Sequence, residues 1–139
     1  KTAVQEAMPK LSEAGAKKVV ELNVSGPFHS PLLKGAGEKL AKELENVEIS
    51  DLKIPYLANV NGEVVTDKAQ VKSLLEAQVS SPVRWEQTLY ELEKMGVDTI
   101  IEVGPGKTIA GFVRKTVPSI NVIGVSTPED IDKLLEKLG

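Results

Sequence analysis

Along the chain the apolar positions keep changing period, from the three-to-four spacing of an amphipathic helix to the short continuous runs of a buried strand. Val4, Ala7, Met8 and Leu11 make the first helical stripe and predict a helix from Val4 to about Ala14, stopped by Gly15. Lys18 to Val24 predicts a strand, and Ser25-Gly26-Pro27 a turn. Leu32, Leu33, Ala36, Leu40 and Leu44 mark one face of a helix from Pro31 to about Leu44. Ile54 to Val60 predicts a strand, Asn61-Gly62 is a strong turn signal, and Val64 and Val65 form a short partner strand. Asp67 then caps a helix to about Val79 that carries Val71, Leu74, Leu75 and Gln78 in register, with Gln70 placed to complete a capping box.

Ser81-Pro82 repeats a cap-then-proline signal already present at Ser30-Pro31, and predicts a helix that turns Trp85, Leu89 and Leu92 inward before Gly96 ends it. The Thr99-Ile100-Ile101 run inside the strand Asp98 to Val103 suits a sheet covered on both faces. Gly104-Pro105-Gly106 turns into a helix bearing Ile109, Ala110 and Val113, and Asn121 to Val125 is the next strand. Thr127-Pro128 starts a last helix with Ile131, Leu134, Leu135 and Leu138 on one stripe. Repeated strand, turn and helix units predict an α/β fold with a parallel sheet, in which sites collect at the C-terminal ends of strands.

Composition narrows the function. A chain of 139 residues, 41% apolar and 27% charged, has the size and make-up of one globular domain, and no run is long enough to cross a membrane. A net charge of -3 argues against nucleic-acid binding, which needs clustered Lys and Arg. With no cysteine and one histidine, there is no thiol nucleophile and no metal site is expected; the absence of cysteine suits the cytoplasm. A helical stripe already under way at Val4, behind a Lys1 that is no initiator, leads to the expectation of a chain that begins partway through a larger protein or lacks a few leading residues.

Three segments carry candidate chemistry. Gly104 to Thr108 ends in Gly-Lys-Thr between a strand and a helix, but a nucleotide-binding loop needs a glycine where Ile101 stands, so ATP and GTP are rejected and only a weaker anion contact at the helix N-terminus is left open. His29, the single histidine, lies between Gly26-Pro27 and Ser30-Pro31, just before a helix start, where the flanking turns give the imidazole a defined direction. A histidine base needs a nucleophile and a group to orient its second nitrogen, and no Gly-x-Ser-x-Gly elbow occurs here. Either the nucleophile is on another segment or His29 is not catalytic. For Gln78, Asn59 and Trp85 the simpler readings are a helix-end amide, turn chemistry and core packing. Lys107, Arg114 and Lys115 share one helix, either as a solvated face or as a docking site for an acidic partner.

Taken together, Asn23 to Leu33 (Asn-Val-Ser-Gly-Pro-Phe-His-Ser-Pro-Leu-Leu), Gln78 to Trp85 (Gln-Val-Ser-Ser-Pro-Val-Arg-Trp) and Glu102 to Lys107 (Glu-Val-Gly-Pro-Gly-Lys) resemble the malonyl-CoA:acyl carrier protein transacylases of bacterial fatty-acid synthesis. The resemblance covers essentially the whole chain and implies the C-terminal part of such an enzyme, less than half of it. It implies an α/β-hydrolase-like acyltransferase subdomain from residue 26 to 139, preceded over residues 1 to 25 by the last helix and strand of a ferredoxin-like insert. In that family a serine in a Gly-His-Ser-x-Gly elbow attacks the malonyl thioester. The resemblance makes His29 its general base and acid, steadied by the main-chain carbonyl of Gln78. Phe28 matches a position where related acyltransferases that accept malonyl carry Phe and those that accept methylmalonyl carry Ser, so malonyl is expected. Asn59 is a further substrate-binding candidate, and Lys107, Arg114 and Lys115 are candidates for docking the carrier protein.

The serine, an oxyanion-hole glutamine and an arginine for the malonyl carboxylate all belong to the half not present in this chain. The implied partners are therefore acyl carrier protein, malonyl-CoA as substrate and the N-terminal half of the same enzyme, with no cofactor, no metal, no nucleic acid and no membrane. The isolated chain is expected to be inactive. The rival readings are a non-catalytic fragment or module that binds acyl carrier protein, and an acyltransferase domain of a polyketide synthase.

Overall fold

A computed structural model describes residues 2–139; Lys1, where the chain's beginning was read, and the Leu138 side chain, expected on the last apolar stripe, lie outside the described residues. Helix α1 (Thr2–Glu13) forms as its stripe predicts, although Pro9 inside it removes one helical donor. None of its residues is buried, and Val4 and Leu11 are each about half exposed. The strand expected over residues 18 to 24 does not form: Val20, Leu22 and Val24 are exposed, and no ladder pairs with them among the described residues. A β-strand exists only through its neighbour's hydrogen bonds, so an apolar run without a partner stays irregular.

A 3₁₀ turn at Pro31–Leu33 leads into α2 (Lys34–Glu45), which packs along α3 (Val71–Ser80). Gly37 is the buried residue of α2, and a Cβ there would lie 3.0 Å from the Glu76 carbonyl oxygen and 3.7 Å from Val79. The two helix backbones therefore approach so closely that even an alanine there would push the neighbouring helix back by a few tenths of an ångström.

In the chain, α2 and α3 are separated by a hairpin, β1 (Tyr56–Ala58) antiparallel to β2 (Glu63–Val65). Its turn is longer than a two-residue Asn-Gly loop, because Val60 leaves the strand and the Gly62 N–H closes on the Ala58 carbonyl at 2.7 Å. Gly62 has φ of 76° and a Cβ there would lie 2.9 Å from Gln87, so glycine is required on both counts. Asp67 caps a 3₁₀ turn at Lys68–Gln70 by accepting from Ala69 N–H at 2.8 Å; Gln70 completes no capping box, because Asp67 bonds Ala69 N–H in place of Gln70 N–H and the Gln70 side chain makes no capping bond.

The next helix, α4 (Trp85–Lys94), starts three residues later than Ser81-Pro82 predicts, since Ser81 is extended and ends α3 instead. Strands β3 (Thr99–Val103) and β4 (Asn121–Val125) pair in parallel, with α5 (Thr108–Thr116) between them and α6 (Pro128–Leu138) after them. Leu89, Val113, Val117 and Ile120 make the core, with Trp85, Leu92, Ile100, Ile109 and Val122 packed on it. Only this face of the β3 side is well covered. Ile101 and Val103, on the opposite face by strand alternation, are 40% and 79% exposed, against the expectation of a sheet covered on both faces. Helix α6 packs against β4, and its own Ile131 and Leu135 stay exposed. A capping box from Thr127 and Asp130 starts it. No helix is long and apolar enough to cross a membrane among the described residues.

Candidate active site

His29 stands at the tip of the turn before α2, and it is the non-glycine residue with positive φ, 56°, among those described. Left-handed backbone is costly for a side chain with a Cβ and persists where neighbours enforce it. Here the enforcement is local. Ser30 Oγ donates to Pro27 O at 2.7 Å, and Leu33 N–H to Ser30 O at 3.0 Å, so the turn is closed on both sides of His29. Ser30 has the extended dihedrals of an N-cap, yet its hydroxyl reaches back along the turn and caps no helical N–H.

The exposed imidazole points one nitrogen at the end of α3. Its Nδ1 lies 3.1 Å from the Gln78 main-chain oxygen and 3.3 Å from the Gln78 side-chain Nε2. One ring nitrogen cannot donate to the first and accept from the second at once. The carbonyl contact is the shorter, and a carbonyl can only accept, so that bond is made with a proton on Nδ1, while the carboxamide donates to Ser81 O at 3.2 Å. In the neutral ring a proton on Nδ1 places the free lone pair on Nε2. Such a group can take a proton from a hydroxyl or thiol brought to it and return the proton to a leaving group. The close approach at Gly37 matters for this pair, because α2 follows His29 and α3 carries Gln78.

The remaining candidates fall elsewhere. Phe28 adjoins His29 and is 63% exposed, its ring edge 3.4 Å from where a Cβ on Gly26 would lie. Asn59 follows β1 in the hairpin turn and is exposed, while its backbone oxygen accepts the Arg84 N–H at 2.7 Å and fixes the start of α4. No hydrogen bond among the described residues joins Asn59 to His29. Lys107 caps the start of α5 while Arg114 and Lys115 occupy its last turn, so the three are exposed but lie at opposite ends of the helix.

The anion contact left open at the N-terminus of α5 is not available. Glu102 already accepts from the N–H groups of Ile109 and Ala110, at 3.0 Å each, and its carboxylate would repel an anion there. Gly104 and Gly106 have φ of 130° and 106°, so the loop is the tight strand-to-helix turn its sequence suggests. Among the described residues no cluster of three or more His, Cys, Asp or Glu is arranged to hold a metal ion.

No protein-family model matches the chain. Curated relatives do. The malonyl CoA-acyl carrier protein transacylase of Bacillus subtilis is 43% identical over 135 residues, which are 97% of this chain and 43% of the relative. That of Haemophilus influenzae is 39% identical over 126 residues, 91% of this chain and 40% of the relative. The crystal structure of the transacylase from Clostridium perfringens superposes with a TM-score of 0.87 at 37% identity, over 98% of this chain and 43% of that one. A malonyl-transacylase solved in complex with a type II PKS acyl-carrier protein superposes with a TM-score of 0.90 at 31% identity, over 99% of this chain and 44% of that one. The chain thus spans less than half the length of the relatives it matches. In sequence and in fold, it is related over nearly its whole length to malonyl CoA-acyl carrier protein transacylases, and corresponds to a part of them.

Proposed function

We propose that this chain is the C-terminal part of a malonyl-CoA:acyl carrier protein transacylase and supplies its base, the nucleophilic serine coming from the remainder of the enzyme. The observation that carries this reading is the contact of His29 Nδ1 with the Gln78 carbonyl at 3.1 Å on an exposed imidazole, which in the neutral ring assigns the proton-accepting role to Nε2. As the serine oxygen attacks the malonyl thioester carbonyl, Nε2 takes the hydroxyl proton. The C–S bond breaks, and that proton leaves on the coenzyme A thiolate, which gives an acyl-serine. The phosphopantetheine thiol of acyl carrier protein then loses its proton to Nε2 and attacks the acyl-serine, whose oxygen departs with the proton. Every atom is balanced by the two thiols, so no cofactor is required.

Phe28, beside the base, would disfavour a branched acyl group by its bulk. Asn59 is a weaker candidate for substrate contact, and Lys107, Arg114 and Lys115 for carrier docking. Residues 26 to 139 would complete an α/β-hydrolase-like subdomain, and residues 1 to 25 the end of a ferredoxin-like insert whose other strands would give the irregular 18 to 24 run its partner. The enzyme would act in the cytoplasm.

Mixing this chain with a separately prepared N-terminal remainder of such a transacylase tests the reading. Malonyl transfer should appear on mixing, and His29→Ala in the mixture should lower it by a factor of about 10² or more. Near-unchanged transfer with His29→Ala rejects His29 as the base.

A further inference from the structure

The candidate base relies on a free carbonyl in the last turn of α3, where the orphan acceptors of a helix end are satisfied by following backbone N–H groups, side chains or water. In an α-helix each carbonyl accepts from the N–H four residues ahead, so the donor due to Gln78 is residue 82. Residue 82 is proline, which has no N–H. Proline also drives the residue before it out of the helical region, and Ser81 is extended, with φ of -112° and ψ of 150°. The Gln78 carboxamide folds over the same helix end and bonds Ser81 O, the neighbouring acceptor, at 3.2 Å. What occupies the Gln78 oxygen in place of a backbone N–H is His29 Nδ1, at 3.1 Å.

We propose that Pro82 is a positioning residue for His29: it withholds the N–H that would otherwise bond the Gln78 carbonyl, and so reserves that oxygen for the imidazole. The role is distinct from ending a helix. A proline one residue later would also stop α3, but would leave an N–H at position 82 to compete for the same oxygen. The proposal rests on the reading of His29 as base, but its test does not depend on catalysis.

The test compares this chain with its Pro82→Ala variant, both labelled with ¹⁵N in the histidine ring. Alanine restores the N–H and lets α3 run on by one bond. The residue 82 amide should then be protected from hydrogen exchange, and the population of the Nδ1–H tautomer, read from the ring ¹⁵N shifts, should fall. N-methylalanine at position 82, which again lacks an N–H, should restore the original tautomer. In the enzyme reconstituted with its N-terminal remainder, Pro82→Ala should cut kcat by roughly tenfold with KM little changed. An unchanged tautomer population in Pro82→Ala, or an unprotected amide at position 82, overturns the proposal.

Should Pro82→Ala not fold, the comparison of the unsubstituted chain with its His29→Ala variant decides. Substituting His29→Ala should then move the Gln78 carbonyl ¹³C resonance, and an unmoved resonance overturns the proposal. Full transfer by reconstituted His29→Ala would remove the base reading while leaving the Pro82 result in place.

Discussion

Residues 2 to 30 bury nothing, whereas the stretch from α4 to β4 encloses Leu89 and Val113 completely. Both regions carry apolar residues at the spacing their elements require. They differ in whether the described residues include a surface that covers each face. The α4, α5 and β3–β4 elements pack on one another through Leu89, Val113, Val117 and Ile120. Helix α1 and the 18 to 24 run have no such partner among the described residues. His29 belongs to the boundary between these regions, held by a turn on one side and by the end of α3 on the other.

The largest expected effect separates the two regions outright. Leu89→Ala should destabilise the chain by about 3 kcal/mol through lost burial and a cavity. Leu22→Ala, at a position 73% exposed, should change stability by less than about 0.5 kcal/mol. Urea unfolding of both variants checks this, and equal losses would show that residues 18 to 24 pack in solution.

A smaller effect probes the boundary. Gly37→Leu forces α2 and α3 apart, at a cost of about 2 kcal/mol. Because α2 follows His29 and α3 carries Gln78, the same substitution should weaken the Nδ1 contact, which the ring ¹⁵N shifts of His29 would report. A lost contact with the core of α4 and α5 still folded would place the weak point at the boundary itself.

The smallest effect concerns α6. Hydrogen bonds from the Ser126 and Thr127 backbone N–H groups hold the Asp130 carboxyl below its ordinary value of 3.8. A group whose pKa is lower folded than unfolded stabilises the fold above its unfolded pKa, and that contribution disappears as the pH falls through the folded value. Acidification below 3.8 should therefore lower the protection of the Ser126 and Thr127 amides, measured against their intrinsic exchange rates, before it affects β3. Asp130→Asn should show the lowered protection already at neutral pH.

Much of this was legible in the chain. The stripes at Val4, Leu40, Leu89, Val113 and Leu134 correspond to α1, α2, α4, α5 and α6, because helical hydrogen bonds are local and a period of 3.6 is read within a single segment. The parallel pair β3–β4 appeared as two apolar runs separated by a helix. Residues 18 to 24 misled because strand formation depends on a neighbour that no local pattern contains. Ser81-Pro82 misled in another way: the dipeptide that starts one helix elsewhere in the chain here ends another, since the residue before proline must be extended in either case. In the site, His29 and its flanking turn were visible as sequence, but their geometry was not. The Ser30 hydroxyl turning back to Pro27, the Glu102 carboxylate closing the start of α5 and the close approach at Gly37 each depend on distances between segments.

The sequence by itself determined where the helices run, which residue can act as a base near neutral pH, and that residue 82 has no N–H to offer. These follow from the chemistry of single residues and from contacts four positions apart. The resemblance named the Gln78 carbonyl as the partner of His29, but only the tertiary structure decided how this oxygen, 49 residues away, reaches Nδ1 at 3.1 Å. That meeting requires two helices to pack at the distance Gly37 permits, and packing distance belongs to surfaces in contact and not to either strand of sequence alone.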